Sequence, residues 1–207
     1  MTLVTYLLYV AAVALLIVTP GPTMLMCITN SLNHGVRHAM TSVAGATTAV
    51  LGVMVLSAMG LGALLATSES AFTVAKVAGA VYLIWLGIRT FRSTVVLKPV
   101  DEGAPAARRS FYLQGFLVGA SNPKAVLFFA AFFPQFLNPS MPIVPQFAIL
   151  ALTFVVFEFT VLTLCALGVA RLLPLLRSTR AVRWFNRVCG GVFTLLGGLL
   201  LFTRRNA

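Results

Sequence analysis

Two charged residues lie within stretches that are otherwise apolar. Lys124 sits about 14 residues into the run from Phe111 to Phe136, and Glu158 is flanked by Phe157 and Phe159. An ion inside hydrocarbon is costly and marks a functional site by default. A lysine there suits a substrate carboxylate, or it can pair with Glu158. Had its helix begun later, it would snorkel to an interface. Glu158 suits two roles: carrier of a coupling proton, or partner in a structural ion pair with Lys124 or Arg171.

Lys124 belongs to Ser121-Asn122-Pro123-Lys124, and an earlier run carries Thr19-Pro20-Gly21-Pro22. Proline removes an amide hydrogen and clashes with the preceding turn, so both segments should interrupt a helix. Asn122 can cap a new helix with Pro123 as its first residue, and Thr19-Pro20 offers the same arrangement. A half-helix that starts inside a membrane points free amides and a positive dipole end into the protein. A carboxylate fits such a site. A lone break of this kind is often just a kink, but two matched breaks favour a site. The candidate substrate-binding residues are therefore Pro20, Gly21, Pro22, Thr23, Asn122, Pro123 and Lys124, with Lys124 and Glu158 for proton coupling.

Weaker signals accompany these. Thr47 and Thr48 stand among Ser42, Gly45 and Gly52, a set that serves close helix packing or cavity lining. We carry both threonines as further substrate-binding candidates. His34 and His38 have the i, i+4 spacing of a metal pair, but no third ligand follows and they read as a solvated basic turn. Cys27, Cys165 and Cys189 form no CxxC, which argues against a redox pair or zinc knuckle. No metal site and no cofactor is expected.

The elements that must position these residues are membrane helices. Of 207 residues, 59% are hydrophobic and 9% charged, and the mean hydropathy is +0.99. So few charges cannot cover a water-soluble surface. Crossing hydrocarbon takes about 20 apolar residues. The apolar runs are Leu3–Leu32 (through the first break), Met40–Ala66, Ala71–Phe91, Phe111–Phe136, Phe147–Leu173 and Val188–Phe202. They predict an all-α membrane protein of about six transmembrane helices, with helices 1 and 4 broken. Residues 2–33 as one helix would be about 48 Å long at 1.5 Å per residue, against about 30 Å of hydrocarbon. The alternative is five crossings with one re-entrant run. We expect one domain, with repeat one at about 1–92, a linker at 93–110 and repeat two at about 111–205. Residues 1–19 lack a basic n-region and read as a retained helix.

The net charge of +11 reflects topology, not nucleic acid. Eleven basic residues fall in the first, third and fifth loops: Arg37, Arg89, Arg92, Lys98, Arg108, Arg109, Arg171, Arg177, Arg180, Arg183 and Arg187. Only Lys76, Arg204 and Arg205 fall on the other face. The rule that basic loops stay inside predicts both termini outside. Anionic membrane lipids are the expected partners of these charges.

The halves resemble one another. Lys76-Val77-Ala78-Gly79-Ala80-Val81-Tyr82 matches Arg187-Val188-Cys189-Gly190-Gly191-Val192-Phe193 at an offset of 111, and Pro22 matches Pro123 at an offset of 101. Three helices per half is odd, so the repeats would insert in opposite orientations, as in many secondary transporters.

An ordered set of motifs, spread over nearly the whole chain, resembles the LysE/RhtB family of amino-acid exporters. It comprises Thr19-Pro20-Gly21-Pro22, Gly35, Gly45, Gly60-Leu61, and Gly79 through Gly87. In the second half it adds Gly115-Phe116, Asn122-Pro123-Lys124-Ala125, Phe133-Pro134-Gln135-Phe136, and Arg187 through Gly198. The resemblance implies proton-driven export of a small-molecule amino acid across a bacterial inner membrane, and homodimers. Some members carry an acidic or amide residue a few positions after the helix-two glycine. Here Ala49 and Val50 stand there, which points to neutral, homoserine-, threonine- or leucine-like substrates. No P-loop is present to bind ATP. The rival readings are a cation or heavy-metal exporter, which needs soft or acidic ligands together, and a membrane enzyme or thiol carrier, which needs a paired nucleophile. A third is a scaffold that transports nothing.

Overall fold

The computed structural model describes residues 1–67, 69–92, 110–138, 140–169 and 178–202. Among them are eight α-helices and one short 3-10 turn, with no strand. The helices are α1 (Leu3–Val18), α2 (Pro22–His34), α3 (Val36–Thr67), α4 (Glu69–Arg92), α5 (Phe111–Ser121), α6 (Pro123–Ala131), α7 (Ile143–Leu167) and α8 (Thr179–Phe202); the 3-10 turn is Phe133–Phe136. By length and apolarity, Val36–Gly60 and Ile143–Leu167 can each cross a bilayer unaided. The α1–α2 pair passes the same test as one span bent by 50°. The fold is thus an all-helical membrane fold with two or three clear spans.

Both expected breaks are present. α1 stops at Val18 and α2 restarts at Pro22, while α5 stops at Ser121 and α6 restarts at Pro123. Each restart places proline in the first helical position, where its missing amide hydrogen costs nothing; in the first break, however, this is Pro22 after Gly21 and not Pro20 after Thr19, because Thr19 still closes α1 as its C-cap.

Several boundaries differ from the sequence reading. The polar turn expected over Asn33–His38 shrinks to one residue: α2 runs to His34 and α3 begins at Val36, so Arg37 and His38 are helical. Gly35 makes this possible at φ 83°, a left-handed conformation that glycine adopts without penalty. α7 begins at Ile143, four residues before the expected start, and ends at Leu167 rather than Leu173, with Gly168 as its cap. Arg180, Arg183 and Arg187, assigned to a loop, lie in the opening turns of α8. Arginine is a good helix former, and its charge alone does not end a helix. Arg171, Arg177 and most of the linker fall outside the described residues.

Glycine seams set how the helices pack. A Cβ at Gly115 would overlap the carbonyl of Ser42, one at Gly45 the carbonyl of Tyr112, and one at Gly119 would lie 2.6 Å from the oxygen of Ala46. Backbones this close exploit the missing side chain. Ser42 meets Gly115 and Ala46 meets Gly119, so α3 and α5 run parallel. On the other seam, a Cβ at Gly87 would come within 2.7 Å of the Gly190 oxygen, and Gly190 abuts Phe91, so α4 and α8 run antiparallel. Gly52, by contrast, faces open space.

Two buried cores lie one beyond the other along α7. The first gathers Tyr9, Val13, Phe128, Phe129, Phe133, Leu150 and Phe154, from α1, α6, α7 and the 3-10 turn. The Tyr9 hydroxyl donates to the Leu150 carbonyl at 2.9 Å, which satisfies its polar end inside this core. The second gathers Met24, Cys27, Ile28, Val43, Leu162 and Ala166, from α2, α3 and α7. The Ser31 hydroxyl ties α2 to α7 at the Ala166 carbonyl, 2.8 Å away.

Candidate functional site

Between these cores, α7 presents Phe154, Glu158 and Leu162, spaced four residues apart and therefore on one face. All three line a cavity together with Leu16, Ile17, Thr19, Gly21, Thr23, Met24, Val50, Asn122, Lys124 and Ala125. Its polar members come from the two helix breaks and from Glu158. Counting only space open to the centre of a water-sized sphere, the cavity holds about 30 Å³. That admits water but is too small for an amino acid in this conformation.

The breaks are joined by Lys124 and Asn122. Pro20 has no N–H, so the Leu16 carbonyl, which a regular helix would pair with residue 20, is left open. The Lys124 ammonium fills the gap, donating to the Leu16 and Thr19 carbonyl oxygens at 2.6 Å each. A cation at the last carbonyls of α1 is also favoured by the helix dipole. Gly21 makes room for it: an added Cβ would stand 3.1 Å from the Lys124 Nζ. The side chain of Asn122 works in both directions. Its oxygen accepts from the Lys124 amide at 3.2 Å and caps α6, while its nitrogen donates to the Thr23 hydroxyl at 3.1 Å. α2, with Gly21 as its N-cap residue, has no side-chain cap. Glu158, buried, lines the same cavity close enough for its charge and that of Lys124 to interact.

The structure therefore brings Gly21, Thr23, Asn122, Lys124 and Glu158 to one place. Pro20, Pro22 and Pro123 shape the breaks that present them. Thr47 and Thr48 lie elsewhere: the buried Thr47 hydroxyl returns to the Val43 carbonyl, and the exposed Thr48 hydroxyl to that of Ala44. Cys27 donates to the Leu162 carbonyl at 3.5 Å in the second core. His34 and His38 pack their rings against Phe111, with centroids 5.0 and 4.7 Å away. Among the described residues, no three His, Cys, Asp or Glu side chains converge as a metal site would require.

Sequence reasoning passed over the apolar wall of Leu16, Ile17, Met24, Phe154 and Leu162. The spacing of Phe154 and Leu162 around Glu158 was the available signal. It also passed over Asn30, a buried amide that donates to Ser42 at 2.7 Å and Gln114 at 3.0 Å, linking α2, α3 and α5. A polar residue inside an apolar run was the clue there.

A cavity with one cation, one carboxylate and an amide–hydroxyl pair, walled by aliphatic and aromatic groups, suits a small molecule with charges of both signs. Comparison with known proteins agrees in kind. The sequence profile of the LysE type translocator family matches residues 14–204. The chain belongs to this family. LysE type translocators are transporters. Among relatives of this translocator, the homoserine/homoserine lactone efflux protein of Salmonella typhimurium is 34% identical over 204 residues, covering 99% of each chain. The leucine efflux protein of Klebsiella pneumoniae is 33% identical over 157 residues, 74% of each chain. An uncharacterized membrane protein of Vibrio cholerae is 31% identical over 195 residues, covering 94% of this chain and 95% of its own. At the family level these names support amino-acid export. No solved structure matches the chain significantly.

Proposed function

We propose that this translocator exports neutral amino acids of the homoserine, threonine or leucine kind across the bacterial inner membrane, driven by the proton gradient. The observation that carries the reading is the meeting of both helix breaks at one cavity between two apolar cores, with Lys124 and Glu158 in its wall. Lys124 would neutralise the substrate carboxylate, Asn122 and Thr23 would hydrogen-bond it, and the aliphatic wall would receive an uncharged side chain. Val50 is part of that wall, where an acidic residue would instead suit a basic substrate. Glu158 would take up and release the coupling proton as the site opens alternately to each side. Both termini would face outward, anionic lipids would contact the basic face, and the working unit would be a homodimer.

The test is efflux from cells preloaded with a panel of amino acids. Wild type should export neutral members selectively, and Lys124→Ala and Glu158→Gln, at equal membrane levels, should both lose that export. Efflux of nothing in the panel, with the variants indistinguishable from wild type in metal sensitivity as well, would sink the reading. A metal-sensitive phenotype without amino-acid efflux would point instead to a cation or heavy-metal exporter on the same scaffold.

A further inference from the structure

The Lys124 ammonium rests on two backbone carbonyls, those of Leu16 and Thr19, at 2.6 Å each. The geometry points to these two carbonyls as the subsite for the substrate's own ammonium group, which Lys124 occupies until a substrate displaces it. The inference rests on the export reading above, and it adds that recognition begins with the amine.

Three features define the subsite without reference to Lys124 itself. Pro20 denies the Leu16 carbonyl its helical partner, so a donor must come from elsewhere. Both carbonyls lie at the C-terminal end of α1, where the helix dipole attracts positive charge. They open onto the same cavity as Glu158, since Leu16, Thr19 and Glu158 all line it. An ammonium group has three N–H donors and no acceptor. Two carbonyls therefore satisfy most of it, and a carboxylate across a narrow cavity compensates its charge.

The occupant must also be able to leave. Lys124 reaches the carbonyls on a flexible four-carbon stem, from the first turn of α6. Gly21 leaves its amine space on the side facing α2. A substrate that delivers its own ammonium replaces the two hydrogen bonds like for like, so no buried carbonyl is stranded in the exchange. The released Lys124 then finds the substrate's carboxylate a few ångströms away. The side chain thus acts as a resident competitor that only a molecule with both an amine and a carboxylate displaces favourably.

Two arms test this on the purified full-length protein. In the first, wild type is titrated with an exported neutral amino acid and with its 2-hydroxy acid analogue, which keeps the carboxylate and side chain but lacks the amine. The amino acid should bind at least tenfold more tightly. Equal affinity for both would overturn the subsite while leaving export intact. In the second arm, Lys124→Ala is melted with n-propylammonium, which restores the atoms removed, and with 1-propanol as control. The cation alone should raise the melting temperature of the variant, and neither additive should move wild type. No cation-specific shift would overturn the proposal. If the variant does not fold, the first arm decides by itself. If propylammonium rescues the variant but wild type binds no amino acid, the ammonium subsite stands and the export reading falls.

Discussion

The side-chain amide of Asn122, at the start of α6, donates to the hydroxyl of Thr23, in the first turn of α2, across 3.1 Å. The chain separates these residues by almost half its length, yet each belongs to a proline break, and their bond draws the breaks to one point. Asn122→Asp keeps the acceptor that caps α6 but loses the donor to Thr23. Asn122→Ala loses both, and an N-cap alone is worth about 1 kcal/mol. We expect Asn122→Asp to melt near wild type with impaired efflux, and Asn122→Ala to melt lower and transport nothing. Thermal melts beside efflux assays would show it; full efflux by the alanine variant would remove this contact from the mechanism.

Glu158→Gln should separate coupling from movement. In proteoliposomes, the variant should still exchange labelled for unlabelled substrate, because the cavity and Lys124 remain. It should fail to concentrate substrate when a proton gradient is imposed. Gradient-driven uptake at the wild-type rate would exclude Glu158 as the proton carrier.

The glycine seams make a prediction about stability alone. A methyl at Gly115 collides with the Ser42 carbonyl, while one at Gly52 meets nothing within 4 Å. Gly115→Ala must part α3 from α5, and overpacking of this sort costs about 1 to 3 kcal/mol. Gly52→Ala should be neutral or stabilising by up to about 1 kcal/mol, since alanine is the better helix former. Parallel melts of the two variants check the contrast, and equal melting temperatures would contradict the packing described.

The opening turns of α8 carry a groove lined by Arg180, Arg183, Trp184 and Arg187, all exposed. Basic side chains near a membrane surface each attract anionic lipid by about 1 kcal/mol. Replacing the three arginines with glutamine should reduce co-purified anionic phospholipid, measured by mass spectrometry, and leave zwitterionic lipid unchanged. Unaltered retention would remove this groove as a lipid contact.

Much of this site was legible in the sequence because a membrane makes exceptions conspicuous. Lys124 and Glu158 stood out as charges in apolar runs, and the prolines stood out because no helix absorbs Pro20-Gly21-Pro22. The apolar wall was not legible. In a soluble protein a buried face contrasts with a wet one, but a membrane helix is apolar on the lipid side too. Met24 and Phe154 therefore looked no different from any residue facing lipid. Thr47 and Thr48 attracted notice as polar groups, yet a threonine satisfies its hydroxyl on the carbonyl four residues back and needs no cavity. The reversal at Gly35 was underestimated, because one residue at positive φ does the work expected of a longer turn. Which helices lie side by side depended on the glycines at positions 45, 87, 115 and 190, whose spacing gave no hint of their partners.

The paired cores of α7 bear on a hazard every exporter faces. A carrier sits idle most of the time in a membrane charged like a capacitor, and any continuous thread of water through it would drain that charge. Here a cluster of rings lies on one side of Glu158 and a cluster of mainly aliphatic groups on the other, flanking a pocket of about 30 Å³. Both ionisable groups thus stand between two apolar cores. If export is coupled to protons as proposed, apolar packing on both sides of Glu158 would keep any thread of water short, and a leak would need one of the two cores to part first.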